Sequence, residues 1–175
     1  NSYSEEALVN NIAFVFQNAK LFKTSIFDNV KIARPSATRD EVLEALHLAQ
    51  CDDILDKFKE RENTIIGAEG VHLSGGETQR IAIARAILKD APIIILDEAS
   101  AASDPENEYE MQQAFSKLME GKTVIMIAHR LSSIRNVDEI LVIEDGKVSE
   151  RGPHDELMST DSKYKSLQQL YNQAN

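Results

Sequence analysis

The feature that most constrains the fold is an apolar run at residues 93–96, which follows Pro92 and ends in the acidic pair Asp97 and Glu98. Four consecutive apolar residues are typical of a strand that is buried on both faces, as in a parallel sheet covered by helices. Burying a carboxylate costs free energy unless the group is paired or bound to a metal. The acidic pair therefore belongs at the carboxyl end of the strand, in the crevice where open α/β sheets bind ligands.

Two further apolar runs repeat this design. Residues 11–16 form an apolar segment that ends at Gln17, and residues 123–128 form one that ends at His129. Because the carboxyl ends of parallel strands meet at one edge of a sheet, we expect these polar side chains and the acidic pair to share that edge. The sequence thus predicts a ligand site built from three strand ends.

A glycine turn precedes the acidic strand and opens a long helix. Ser74 and Glu77 have the S-x-x-E spacing of a capping box, which predicts a helix that begins just after Ser74. Gly75 and Gly76 leave the backbone N–H groups at this positive helix end open to an approaching anion. A well-capped helix would explain an isolated motif of this kind, but the acidic strand that follows favours a ligand-binding role.

Together these segments resemble the nucleotide-binding domain of ATP-binding cassette (ABC) transporters. Residues 73–77 resemble the signature loop of that family, with Glu77 in place of the commoner glutamine, and residues 93–98 resemble its magnesium-binding strand. Residues 101–104 stand where its D-loop runs, and residues 64–70 resemble a loop that precedes the signature in exporters. The resemblance implies an α/β fold, with a mostly parallel, P-loop nucleotidase-like sheet and a helical subdomain.

The resemblance also implies ATP and Mg²⁺ as cofactors and a role for each candidate residue. Asp97 and Gln17 would bind the magnesium ion, and Gln17 would also contact the attacking water. Glu98 would polarise that water, and His129 would hold the γ-phosphate. The residues implied in nucleotide binding by the signature and the D-loop are Ser74, Gly75, Gly76, Glu77 and Asp104.

The 175 residues contain no phosphate-binding loop of the form G-x-x-x-x-G-K-[ST] between a strand and a helix. Residues 121–123 carry the end of this pattern, but Ser116 occupies the first glycine position and the predicted helix lies before the motif. We therefore expect the C-terminal portion of a nucleotide-binding domain, without its N-terminal β-region. By itself such a chain is expected to be inactive as an ATPase, and an uncovered sheet edge would favour self-association.

The expected organisation is a single partial nucleotide-binding domain over residues 1–175. Residues 18–91 form its helical subdomain, in which Thr38 and Glu41 make a second capping box, and residues 1–17 and 92–175 supply the rest of the core and the C-terminal helices.

The C-terminal region contains two further predicted elements. Residues 140–148 predict a hairpin that turns at Asp145 and Gly146, and a terminal amphipathic helix is expected over residues 162–173.

Composition limits the possible partners. A net charge of −10, from 19 basic and 29 acidic residues, opposes broad nucleic-acid binding. No apolar run approaches the ~20 residues that span a bilayer. The single cysteine, Cys51, excludes an internal disulfide and fits a reducing compartment.

The function that the resemblance implies is ATP hydrolysis that drives a membrane exporter of the multidrug or lipid type. The implied partners are a second nucleotide-binding domain in a head-to-tail dimer and a transmembrane domain, at the cytoplasmic face of the membrane. Two alternatives stay open: a non-catalytic interaction fragment, and a soluble cassette ATPase that acts on DNA or ribosomes. DNA-acting members carry long coiled coils, and this chain shows no sustained heptad repeat.

Overall fold

The computed structural model describes residues 3–16, 18–67, 71–97 and 105–174, which contain both helices and strands. In chain order these elements are α1 (Glu5–Asn11), β1 (Ile12–Val15), α2 (Ile26–Lys31), α3 (Arg39–Leu48), α4 (Asp52–Asp56), α5 (Gly75–Lys89), β2 (Ile93–Asp97), α6 (Pro105–Met119), β3 (Thr123–Ile127), β4 (Ile140–Glu144), β5 (Lys147–Gly152), α7 (His154–Ser159) and α8 (Lys163–Ala174). Short 3₁₀ turns occur at Arg61–Asn63 and Leu131–Ile134. The chain divides into two compact units, Asn1–Ile127 and Ala128–Asn175.

The first unit is built on a three-stranded parallel sheet with the order β1-β2-β3. Val15 near the end of β1 pairs with Leu96, and Ile127 at the end of β3 pairs with Asp97. The three strands therefore end together, and the predicted parallel sheet is confirmed. The predicted first strand is shorter than expected, because residues 5–11 form α1, whose N-terminus is capped by the Ser4 hydroxyl accepting a hydrogen bond from the Ala7 amide.

One face of this sheet forms the core of the first unit. The side chains that alternate along β1 and β2 on this face are buried, and α2, α3 and α6 pack against α5 to complete the core. The buried sheet residues are Ala13, Val15, Ile94 and Leu96.

The opposite face of the sheet is only partly covered by the described residues. Phe14, Phe16, Ile125 and Ile127 are each at least 50% exposed, and the rings of Phe14 and Phe16 stack with their centroids 5.7 Å apart. For residues 93–96, the expected burial on both faces is met on one face, where Ile94 and Leu96 are buried, whereas Ile93 and Ile95 on the other face are only partly buried. A soluble fold rarely leaves such an apolar patch without a partner.

The helical region before β2 has the local signals that the sequence indicated. The predicted capping box of α3 is present: the Thr38 hydroxyl accepts from the Glu41 amide, and the Glu41 carboxylate accepts from the Thr38 amide. Cys51 is fully buried, and this burial raises the pKa of its thiol to about 12. The thiol is therefore a small apolar core group at neutral pH.

The second unit is organised around the antiparallel hairpin of β4 and β5. Asp145 and Gly146 both have positive φ, at 49° and 74°, as a two-residue type I′ turn requires, so the predicted hairpin is confirmed. The predicted terminal helix is α8, and the short helix α7 before it was not predicted. Within the described ranges, no helix combines the length and the apolar character needed to cross a bilayer.

Candidate functional site

The signature turn has the geometry that its sequence predicts. Ser74 is the N-cap of α5, with extended backbone angles (φ −65°, ψ 165°), and its hydroxyl accepts a hydrogen bond of 3.2 Å from the Glu77 amide. In return, the Glu77 carboxylate accepts a bond of 3.0 Å from the Ser74 amide. Both halves of the capping box are therefore present, and the start of α5 is fixed within one turn.

Gly75 leaves open space in front of this helix end. A Cβ atom built on Gly75 would meet no heavy atom within 4 Å, so packing within the described residues does not require a glycine there. The first N–H groups of a helix have no intrahelical partner and carry its partial positive charge. Ser74 and Gly75 are exposed, whereas Gly76 is buried, so the turn presents an accessible backbone donor at Gly75, which suits a phosphate, and the expectation that Gly76 is equally open is not met.

Asp97 is an acidic residue at the carboxyl edge of the parallel sheet, within the described part of the chain. Asp97 is the last residue of the central strand β2, is partly exposed, and pairs in register with Ile127 at the end of β3. A carboxylate at the end of a central parallel strand lies where α/β sheets bind ligands, and its oxygens are the ligands that Mg²⁺ prefers. Asp97 therefore fits the predicted magnesium site.

The other predicted site residues fall into two groups. Gln17, Glu98 and Asp104 lie outside the described residues, and so do residues 68–70 of the predicted exporter loop. His129 is described as an exposed residue that comes two positions after β3 and belongs to the second compact unit. The structure thus places the signature turn and Asp97 within one unit and His129 at the beginning of the other.

Comparison with known proteins identifies the family. The sequence profile described as "ABC transporter" matches residues 1–101 of this chain, which is more than half of its length. The chain belongs to the ABC transporter family. The predicted family and the predicted α/β fold class are therefore confirmed.

Individual ABC proteins are similar to nearly all of this chain. It is 45% identical over 96% of its length to the ATP-dependent lipid A-core flippase of Pectobacterium atrosepticum, and 46% identical over 95% to the flippase of the same name from Neisseria meningitidis. It is 43% identical over 97% to YgaD of Bacillus subtilis, whose name describes a multidrug export ATP-binding/permease protein. The chain spans only 27–29% of the length of these relatives.

Glu77 of the ABC signature carries a charge, and Lys57 is its partner. Lys57 lies just beyond α4 and donates a hydrogen bond to Oε1 of Glu77. The capping box uses the other carboxylate oxygen, Oε2. Burial alone would raise the pKa of Glu77, but the hydrogen bonds from Lys57 and the Ser74 amide, with the charges of Lys57 and Arg80, outweigh burial and lower it. Glu77 therefore forms an ion pair with Lys57. The sequence did not predict this pair, because Lys57 lies 20 positions before Glu77.

Arg80 anchors the signature helix to the helical region. Its side chain is only 1% exposed, and its guanidinium donates to both carboxylate oxygens of Asp53 (2.8 and 3.1 Å) and to the Gln50 carbonyl (2.6 Å). A buried arginine at the second turn of an amphipathic helix gives no distinctive sequence signal, since arginine is normally exposed. The contact ties α5 to the start of α4.

A surface cavity of about 620 Å³ lies between β1, the segment around Lys20 and α5. Two of its basic residues are already engaged: Arg85 donates to the Asn29 carbonyl (2.8 Å), and Lys89 donates to the Val9 and Ile12 carbonyls (both 2.6 Å). These cations hold the backbone of neighbouring elements against α5. We therefore assign them a structural role within the ABC fold rather than a role in nucleotide binding.

Proposed function

We propose that this chain is the C-terminal portion of the ATP-binding and ATP-hydrolysing domain of an ABC exporter. The observation that carries the proposal is the parallel sheet whose central strand ends in Asp97, preceded by a helix that opens with the capped signature turn. Membership of the ABC transporter family supports ATP as the nucleotide. In the complete protein, hydrolysis would drive transport across the membrane.

The proposed chemistry assigns one task to each candidate residue. Mg²⁺, held by Asp97 and Gln17, would neutralise charge on the β- and γ-phosphates. Glu98 orients the attacking water, and His129 donates a hydrogen bond to the γ-phosphate. Asp97 and the open signature turn fit these ligands, since the first offers hard oxygen donors and the second offers backbone N–H groups.

The proposed partners are a transmembrane domain and a second nucleotide-binding domain. Relatives named as a lipid A-core flippase and as a multidrug export protein favour an exporter of the multidrug or lipid type, working from the cytoplasmic face of the membrane. Asp104 and the signature residues Ser74, Gly75, Gly76 and Glu77 would contact nucleotide across the interface between the two domains. The helical subdomain that presents the signature is proposed to comprise residues 18–91.

Ser74→Arg in the complete transporter polypeptide tests the signature role. The longer, charged side chain would occupy the space in front of Gly75, so we expect ATP-dependent dimerisation of the nucleotide-binding domains to fall at least ~10-fold, about the effect of 1.4 kcal/mol. Dimerisation can be followed by distance measurements between spin labels, one on each domain, with and without Mg-ATP.

Ser36→Arg is the matched control, because Ser36 is an exposed serine in a loop of the same unit. We expect this variant to dimerise normally. Loss of the Ser74 cap costs about 1 kcal/mol of stability, so the melting temperature of each variant should be measured alongside. An unchanged ATP-dependent dimer in folded Ser74→Arg protein would remove the signature turn from the nucleotide interface.

The 175 residues on their own are proposed to lack ATPase activity. A P-loop normally supplies most of the contacts to the α- and β-phosphates through its backbone and its lysine, and none occurs in this sequence. We expect very weak Mg-ATP binding in a calorimetric titration, and self-association through the exposed face around Phe14 and Ile125 in sedimentation. Tight stoichiometric binding would contradict the first expectation, and a stable monomer at high concentration would contradict the second.

A further inference from the structure

We propose that Gln168 of α8 is a positioning residue for the segment that carries His129. The inference rests on the proposed function, in which His129 contacts the γ-phosphate. It concerns only the second compact unit, Ala128–Asn175, where both residues lie. The contact that suggests it joins the C-terminal helix to the first turn after His129.

The amide of Gln168 makes two hydrogen bonds in a buried position. Gln168 is 4% exposed, and its Nε2 atom donates to the Leu131 carbonyl (3.1 Å) and to the Tyr164 hydroxyl (2.7 Å). A carbonyl oxygen can only accept, so the nitrogen of the amide must be the atom that faces Leu131. Both protons of this amide are used, and they connect α8 to the turn.

The turn that receives this contact follows His129 almost directly. The 3₁₀ turn Leu131–Ile134 begins two residues after His129, and Ser133 closes it by donating from its amide (3.2 Å) and its hydroxyl (2.7 Å) to the Arg130 carbonyl. His129 itself is exposed. Gln168 holds the backbone on the C-terminal side of His129 through its hydrogen bond to the Leu131 carbonyl.

The helix that carries Gln168 is itself firmly attached to the hairpin. Glu150 of β5 accepts from the amides of Lys163 (2.7 Å) and Tyr164 (3.1 Å), which caps the start of α8. Tyr164 is 1% exposed and packs with Ile140 and Leu157 in the core of the unit. Gln168 therefore projects from a rigid frame, as a positioning residue must.

The Tyr164 hydroxyl extends this network to α7. It accepts from Gln168, so its own proton is free to be donated, and the Nδ1 atom of His154 lies 2.8 Å away. A buried hydroxyl costs free energy if it has no acceptor. His154 thus completes a chain of contacts that runs from α7 through Tyr164 and Gln168 to the turn after His129.

Gln168→Met in the complete transporter polypeptide tests this inference. Methionine has a similar length and flexibility but cannot donate a hydrogen bond, so the Leu131 carbonyl would lose its contact with α8. Small misplacements of a catalytic group have large effects on rate, and we expect kcat for ATP hydrolysis to fall about tenfold. The affinity for ATP, measured by binding of a non-hydrolysable analogue, should change less than twofold, about the precision of such a titration.

Gln169→Met is the matched control, since Gln169 is the next residue on α8 and is exposed. We expect this variant to keep the kcat of the unmodified protein. His129→Ala is measured in parallel and should lower hydrolysis sharply. When Gln168→Met is added to His129→Ala, no further decrease in kcat is expected, because the two changes act through the same group. A purely structural role for Gln168 would instead lower kcat in both backgrounds.

The outcomes separate this inference from the proposed function. Normal hydrolysis by His129→Ala would overturn the role of His129 and the inference with it. Slow hydrolysis by His129→Ala together with a normal kcat for Gln168→Met would overturn the inference alone. If Gln168→Met does not fold, Tyr164→Phe keeps the ring and removes only the hydroxyl that Gln168 contacts. It should lower kcat about threefold, half of the tenfold effect on a logarithmic scale, and an unchanged kcat would then contradict the proposal.

Discussion

Glu98→Gln in the complete transporter polypeptide is expected to lower steady-state ATP hydrolysis by ~100-fold or more. In the sequence, Glu98 follows Asp97, which is the last residue of the central strand β2. The glutamine amide keeps the shape of the side chain but loses the negative charge that we propose to orient the attacking water. ATP binding does not depend on that charge, so we expect it to stay largely intact.

The measurement is the rate of phosphate release, together with equilibrium binding of labelled ATP to the same preparation. Glu108→Gln is the matched control, because Glu108 is an exposed acidic residue on α6. The control should hydrolyse ATP at the normal rate. Near-normal turnover by Glu98→Gln would show that Glu98 has no part in the chemical step, and the proposed mechanism would need another group to activate the water.

Arg80→Ala is expected to reduce the free energy of unfolding of the nucleotide-binding domain by about 3 kcal/mol. Arg80 is among the largest fully buried side chains in the described residues. The substitution leaves a cavity under α5 and removes the hydrogen bonds to Asp53 and to the Gln50 carbonyl. The carboxylate of Asp53 is half-exposed and can be hydrated, so the loss of packing dominates the cost.

Unfolding by denaturant, followed by circular dichroism of the complete nucleotide-binding domain, measures this change. Arg61→Ala is the control, since Arg61 forms a surface ion pair with Asp56 in which both side chains are at least half-exposed, and the Glu62 carboxylate, 4.0 Å from Arg61, keeps Arg39 as its partner. Surface pairs contribute about 0–1 kcal/mol, so the control should lie close to the unmodified domain. A loss below about 1 kcal/mol for Arg80→Ala would show that the helical region does not depend on this anchor.

The local signals in the sequence predicted much of the fold. The apolar runs predicted the bounds of β2 and β3 to within one residue. The S-x-x-E and T-x-x-E patterns predicted where α5 and α3 begin. Asp145 and Gly146 predicted the hairpin turn because only a few residues tolerate positive φ at both positions. α1 and α7 were not predicted, since each is only six or seven residues long and carries a weak periodic pattern.

For the candidate site, the sequence determined which residue types stand at the ends of strands and helices. A strand end and a helix cap depend on neighbours within a few positions, so Ser74, Glu77 and Asp97 could be read directly from their spacing. The capped signature and the acidic strand, and with them the ABC family, could therefore be predicted from the sequence alone.

Only the tertiary structure decided which distant side chains support these motifs. Lys57 neutralises Glu77 across 20 positions, Arg80 binds Asp53 across 27, and Gln168 reaches the Leu131 carbonyl across 37. Such contacts depend on how helices pack, and lysine, arginine and glutamine are too common on exposed surfaces to signal a buried role. The sequence alone thus determined which polar residues stand at the ends of strands and helices. Packing determined which distant side chains contact and stabilise those segments.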